Sequence, residues 1–424
     1  MLDLHAARRA PVDVVSNDIY AQRVPHAELD RLRREMPVSW VDEEPPQHGF
    51  WSVVKHADLV AVHKDFRTFS SERGGTEIEE LAPDALAARK TMLETDPPRH
   101  TKLRQLVNPA FSRPVAERHA DHAQALLRTV LDDALLTTDG APFDFVDAVA
   151  RELPIRMLCR VIGVPEADAP QLFHWADAII YNTDPDYAEI VFDRDDTDPY
   201  RLLPFRSPTS LRVFEYVERM AAARRASPAG DVLGTMAHAV VDGRPLTDRE
   251  IDTFFLLLLI AGNETTRHSL SHGLLAFIEH PEQLERVRRD PELLASATEE
   301  VLRWACPQLH FRRTASVDTE LRGTPIAAGE KVVTWYIAAN YDEDEFPDPY
   351  TFDVGRTPNR HVTFGGGGPH LCLGQWLARV EVRTFIEELA RRDDVVFELA
   401  GDPERVRSNF INGIKHLPVT ARRA

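Results

Sequence analysis

Cysteine is scarce in this chain: Cys159, Cys306 and Cys372 are the only three among 424 residues. They lie far apart and form no Cys-x-x-Cys pair, which excludes a disulfide framework and leaves no zinc pattern. Long apolar runs are missing too. The longest, Phe254 to Gly262, has nine residues, whereas spanning a bilayer takes about 20, so no membrane anchor is expected. The opening MLDLHAARRAPVDVV lacks the apolar core of a signal peptide, and a cytoplasmic protein with reduced thiols is expected. Positive charge is in deficit: 50 basic against 68 acidic side chains give a net charge of −18. That excludes non-specific attraction to nucleic acid or to an anionic membrane. No Gly/Ser linker, low-complexity tract or repeat of about 20–50 residues divides the chain.

With 43% apolar residues the chain can bury a large core, and compositional disorder is excluded. Length alone would give two or three domains at about 150 residues each, but the pattern along the chain argues for one unit. Short helical stretches such as 25–34 mix at first with strand-like pieces at 38–41 and 49–54. Residues 99–303 read as mostly helical, with turns at Gly163-Val164-Pro165 and Asp242-Gly243-Arg244-Pro245. Strand character returns between Arg312 and Trp335, and a last helix is expected from near Cys372 towards Arg392. Neither set of strands could bury a face alone, so those near residues 50 and 320 should pair and tie both ends of the sequence together. The expected fold class is mainly α with small β-sheets, α+β. Asp184 to Asp198 carries seven acidic residues in fifteen. It reads either as a solvated surface loop or as a lid over a pocket.

The richest segment is His361-Val362-Thr363-Phe364-Gly365-Gly366-Gly367-Gly368-Pro369-His370-Leu371-Cys372-Leu373-Gly374. A phosphate-cradling loop is excluded, since no Gly-Lys-Ser/Thr follows and no GxGxxG is completed. A buried structural cysteine is one reading. The other is a reactive sulfur: at a helix N-terminus, unpaired N–H groups and the helix dipole favour thiolate. Consecutive glycines let the backbone approach a large flat ligand, and a thiolate on such a loop is what haem-thiolate ligation requires.

This segment resembles the haem-binding loop of the cytochrome P450 family, Phe-Gly-x-Gly-x-His-x-Cys-x-Gly, through Phe364, Gly365, Gly367, His370, Cys372 and Gly374. One residue more than in the common pattern separates Phe364 from Cys372. Upstream, Ala261-Gly262-Asn263-Glu264-Thr265-Thr266 lies in the long apolar helix. Alone it reads as a helix kink with a partly exposed acid. The resemblance implies that Thr265 holds dioxygen, that Glu264 serves the proton supply and that Ala261 faces the haem. Glu300-Val301-Leu302-Arg303 matches the family's structural Glu-x-x-Arg, with both side chains on one helical face. The arginine that completes this pair in the family is replaced at its expected place by Thr351, leaving the third partner unidentified. The resemblance also implies that His100, Arg104, Arg313 and His370 bind the two haem carboxylates.

Together these matches span about residues 20 to 424 and follow the family's order. They imply a single P450 domain over 1–424 with a short N-terminal extension of about 1–19. Haem b would lie between the oxygen-activating helix and the cysteine loop, with Cys372 as axial ligand of the iron. The expected activity is that of a monooxygenase inserting one atom of dioxygen into a C–H bond of a large hydrophobic substrate: a steroid, terpenoid or lipid. Leu257, Ile260, Ala261, Leu309, Phe410 and Ile411 are the candidate substrate contacts, and no charged anchor is among them. A tailoring hydroxylase or epoxidase for a polyketide or peptide is the alternative. A non-catalytic haem-binding protein is disfavoured because a carrier needs no Glu264-Thr265 pair. Without a flavin or ferredoxin module, electrons must come from a separate ferredoxin and its reductase. That ferredoxin would dock on a basic face carrying Lys102, Arg113 and Arg379. A monomer is expected.

Overall fold

The computed structural model describes residues 5–44 and 47–423. Its main sheet is built from both ends of the sequence: β1 (Val38–Val41), β2 (Phe50–Val53), β3 (Phe69–Ser70), β4 (His310–Ala315) and β5 (Lys331–Trp335). The order is β1-β2-β5-β4-β3. The β2 and β5 strands run parallel, with Val332 beside Trp51, and β5 runs antiparallel to β4, with Val332 beside Arg313. The expected pairing of the two sequence ends is thus met. All four residues of β2 are buried. Phe50 packs into one core cluster, and Trp51 and Val53 into another on the other face, as the period-two geometry of a strand dictates.

The helices that position the site are α1 (His56–Lys64), α2 (Arg99–Val107), α3 (Glu152–Ile162), α4 (Ala169–Ile180), α5 (Asp248–Glu279), α6 (Leu294–Ala305) and α7 (Gln375–Arg391). The α5 helix is opened by a reciprocal capping box between Thr247 and Glu250. It crosses the largest apolar core, which also takes in residues of α3, α4, α6 and α7. Gly262 in its middle has a packing reason: a Cβ there would meet Leu158 of α3 at 2.8 Å. The glycine therefore lets two helices approach rather than leaving an open groove. No described helix is long and apolar enough to cross a membrane.

The acidic segment 184–198 is fastened at several points. Asp184 is 1% exposed and pairs with Lys415 at 3.0 Å, while Asp193 pairs with Arg407 at 2.8 Å. None of its residues lines the cavity described below, so it is not a lid; six of its seven acidic residues are exposed, as a solvated surface loop implies, and these ion pairs fasten it. Cys159 and Cys306 are buried as expected for structural thiols. Burial pushes Cys159 up to about 12.

Candidate active site

One cavity joins most of the residues singled out from sequence. It is lined by Ala261, Glu264 and Thr265 of α5, by Phe364, Gly365, His370, Cys372 and Gly374 of the cysteine loop, and by His100, Arg104 and Arg313. Of the substrate candidates, Leu257, Ile260, Ala261, Phe410 and Ile411 line it. Leu309 does not: it is fully buried in the cluster around Phe50 and Trp335, with its N–H donated to the Phe410 carbonyl at 2.9 Å. Ala261 is exposed although it sits mid-helix among buried neighbours. Only the hollow beside it accounts for that.

The cysteine loop is held from behind by the Glu-x-x-Arg helix. Glu300 and Arg303 are wholly buried and form a bidentate pair with both contacts at 2.8 Å. The missing third partner is Arg356, whose Nε lies 3.1 Å from Glu300, with Asn359 adding a fourth contact at 3.0 Å. Thr351 contributes only its carbonyl, which accepts from Arg356 at 2.8 Å. Arg303 in turn donates to the Asn340 carbonyl at 3.0 Å, and the Asn340 side chain holds the Val362 N–H and the Thr363 hydroxyl, each at 2.8 Å. This chain of bonds runs from a buried ion pair to the loop that presents the sulfur.

The extra length of the loop lies on α1. A Cβ on Gly366 would meet Leu59 and Val60 at 2.9 Å, and one on Gly368, at φ +75°, would meet the His63 carbonyl at 2.2 Å. These two glycines serve packing against α1 rather than approach to a ligand. Gly365 (φ +99°) lines the cavity. The α7 helix begins at Gln375, three residues later than expected, with Gly374 as its N-cap. Burial pushes the Cys372 thiol up, opposed by the N–H groups of Gly374 and Gln375 and by Arg104 and Arg379. The helix end alone therefore does not hold a thiolate there; a bound cation at the sulfur would.

The other fit to haem lies at the cavity edge. His100 and His370 sit with ring centroids 4.1 Å apart. Among the described residues, Arg104 donates only to the Pro369 carbonyl at 3.3 Å, and Arg313 only to the Arg312 carbonyl at 2.7 Å. His370 Nε2 is buried without a partner. Burial, reinforced by Arg104, pushes His100 down to about 4, and burial with Arg313 lowers His370 further still. Four donor groups converge with no carboxylate bonded to any of them among the described residues. That is the environment the two propionates of haem require.

Glu264 is 0% exposed and embedded in a buried network. Its carboxylate accepts from Tyr181 and Arg267, and from Asn263 at 2.5 Å. Asp177 of α4 completes the set, 3.0 Å from Arg267. Burial, together with the Glu264 charge and against the Arg267 attraction, holds the Asp177 carboxyl well above the usual range. The Thr265 hydroxyl donates to the Ala261 carbonyl at 2.8 Å, and α5 continues past it unbroken.

Cys372, the cation cluster and the Glu264–Thr265 pair stand here in one cavity, and the cytochrome P450 family model matches residues 50–412. The chain belongs to the cytochrome P450 family. It is a monooxygenase, an oxidoreductase whose cofactor is haem b, and like its family it uses dioxygen, a hydrophobic substrate and redox partners. The chain is 39% identical over 396 residues to a methyl-branched lipid omega-hydroxylase of Mycobacterium tuberculosis, covering 92% of this chain and 89% of the relative. It is 36% identical over 418 residues to a steroid C26-monooxygenase of the same species, covering 96% and 92%. Among solved structures, a P450 of Mycobacterium marinum in complex with pseudoionone superposes with a TM-score of 0.87 at 38% identity, covering 97% of this chain and 99% of that one.

Sequence reasoning missed several residues. Tyr181, Asp177 and His268 carry no local motif, and only their burial around Glu264 singles them out. Glu381 of α7 lines the cavity with Oε2 buried and unpartnered, and burial pushes it up to about 8. Charged groups also line the cavity where none was expected: Glu77, Glu79, Arg89 and Glu94. Finally, two of the three proposed docking cations are already paired, Lys102 with Asp242 and Arg379 with Glu299.

Proposed function

We propose that this P450 hydroxylates a large lipid of the sterol or methyl-branched class, with Cys372 as the residue whose sulfur would hold the haem iron and Glu264 and Thr265 in proton delivery. The observation that carries the site assignment is that the Cys372 sulfur, the Thr265 hydroxyl and the acid-free cation cluster all line one cavity. The substrate class draws support from the apolar stretch Leu257, Ile260, Phe410 and Ile411 in the same wall, and from the substrates in the names of the mycobacterial relatives.

Haem, once bound, supplies the activation of dioxygen; the chain supplies position, protons and a dry cavity. His100, Arg104, Arg313 and His370 would hold the propionates. The Thr265 hydroxyl hydrogen is committed to the Ala261 carbonyl, so its oxygen offers an acceptor to the cavity. Proton supply runs through the network behind it. The Ile414 N–H donates to His268 Nδ1 at 3.3 Å, which leaves the hydrogen on Nε2, where it points to the Tyr181 oxygen 2.5 Å away. The Tyr181 hydroxyl then donates to Glu264. Burial lowers His268 well below its ordinary value, so the imidazole is neutral, and burial beside Glu264 raises the Asp177 carboxyl against the attraction of Arg267.

Electrons are proposed to come from a ferredoxin. The docking face is narrower than the sequence implied: Arg113 is exposed, lies over Trp376 at 5.1 Å and makes no ion pair among the described residues.

The test of the substrate class is a titration of the haem-loaded enzyme with a sterol bearing an intact alkyl side chain, a methyl-branched fatty acid and a macrolide. The first two should displace water and shift the haem spectrum, and turnover with a ferredoxin system should give one hydroxylated product. A shift from the macrolide alone would overturn the reading.

A further inference from the structure

The segment between β3 and α2 brings charge to an otherwise apolar cavity, and almost all of that charge is already used. Both Glu94 oxygens are taken: Oε1 accepts from the Thr76 hydroxyl at 2.7 Å, and Oε2 from the Thr91 N–H at 2.9 Å and the Thr91 hydroxyl at 2.5 Å. Both Glu79 oxygens are taken as well, by Arg206 at 2.7 Å and by Arg89 at 2.8 Å. The backbone is fixed by Arg312, whose main-chain N–H donates to the Thr76 carbonyl and whose Nη1 donates to the Glu79 carbonyl, each at 2.8 Å.

Two groups remain. Arg89 is 7% exposed, and its Nη1 is buried with no hydrogen-bond partner. Glu77 accepts no hydrogen bond among the described residues, and both side chains line the cavity. A buried donor left unpaired costs about 1–3 kcal/mol, and a carboxyl in an apolar wall is costlier unless something meets it.

We infer that Glu77 and Arg89 form a polar anchor that binds a hydroxyl group of the substrate, away from the carbon presented to Thr265. The complementarity selects the group. A hydroxyl accepts from Arg89 Nη1 and donates to Glu77, satisfying both at once. A substrate carboxylate would meet Glu77, Glu79 and Glu94, and an ammonium would meet the Arg89 guanidinium. A ketone has no hydrogen to donate to Glu77, whereas a hydroxyl can donate to the carboxylate or accept from the acid. Burial, aided by Glu79 and Glu94 and opposed by Arg89, pushes Glu77 up to about 7, so the carboxyl is readily paired with a neutral ligand.

This anchor rests on the reading of the cavity as a lipid site, and the test separates the two. The haem-loaded enzyme is titrated with two ligand pairs: a sterol and its deoxy analogue, and a methyl-branched fatty alcohol and its hydrocarbon. The haem spectrum reports binding. The hydroxylated member of at least one pair should bind about 10- to 100-fold more tightly, the worth of hydrogen bonds to a buried charged site. Glu77→Leu should erase that preference by weakening the hydroxylated ligand, while Glu77→Gln, which still accepts, should keep most of it. Equal affinities within both pairs, or a preference that survives Glu77→Leu, would overturn the anchor while leaving the lipid reading intact. No shift from any of the four would remove both.

Discussion

Arg313 is the sharpest probe of how the chain holds its cofactor. The side chain is 3% exposed and its Nη1 donates only to the Arg312 carbonyl. Burial pushes its guanidinium below the ordinary value. In the haem-free protein this is a buried cation with no acid bonded to it among the described residues, and replacing it with methionine should raise stability by about 1–3 kcal/mol. In the loaded protein the sign reverses. A charge-assisted hydrogen bond to a propionate is worth about 1.5–3 kcal/mol, so Arg313→Met should release haem about 10- to 150-fold faster. Arg313→Lys, which keeps the charge but not the planar fork, should fall between. Haem transfer to excess apomyoglobin, followed by absorbance, gives the first quantity, and urea unfolding of the haem-free protein gives the second. Unchanged haem loss, or a haem-free variant less stable than the parent, would refute the assignment of this cluster to the propionates.

Three other outcomes are expected. Thr265→Ala should leave substrate binding intact but divert reducing equivalents to hydrogen peroxide, raising peroxide per NAD(P)H consumed; full coupling would remove Thr265 from proton delivery. Arg356→Ala should cost about 1–3 kcal/mol in thermal unfolding, because buried Glu300 keeps only Arg303 and Asn359 as side-chain partners. Thr351→Ala should stay within about 0.5 kcal/mol, since only its carbonyl is used. Arg113→Glu should slow reduction by an acidic ferredoxin at low salt, with the difference closing as salt screens it; a rate indifferent to both charge and salt would rule out docking on this face.

Much of this was legible in the chain because certain residue types have few uses. A cysteine after a glycine run, an acid and a hydroxyl inside an apolar helix, and a Glu-x-x-Arg pair are each ambiguous alone, and it is their joint occurrence in the family's order that makes them legible. Contacts set by tertiary packing were not legible. Arg356 reaches Glu300 from a loop 56 residues away in sequence, and nothing around it marks a buried arginine. Leu309 was misplaced into the cavity because an apolar residue near the right motif looks the same whether it faces a ligand or a core. The acidic segment 184–198 is solvated as its composition implies, but its fastening by Lys415 and Arg407, more than 200 residues downstream, has no local signal. The glycine loop was half understood: its conformational need was evident, but its contact with α1 depends on where that helix lies.

The buried charges of this protein divide by whether their counter-charge lies within the chain. Glu300 is closed by Arg303, Arg356 and Asn359, and serves the scaffold. Glu264 is closed by Arg267, Tyr181 and Asn263, so it can hand on a proton only if some of those bonds loosen. The cation cluster around Arg313 has no acid bonded to it among the described residues, and beside the Arg89–Glu79 ion pair the Arg89 Nη1 and the Glu77 carboxyl stay open; both places face the cavity. Leaving polar groups unsatisfied in an apolar interior is destabilising, and a fold tolerates it where a bound molecule completes the set. On that logic an excess of positive donors marks the dianionic edge of the cofactor, whereas a donor beside an acceptor marks a neutral hydroxyl. The net charge of −18 predicts neither, because each site is defined by a handful of side chains whose sign is local.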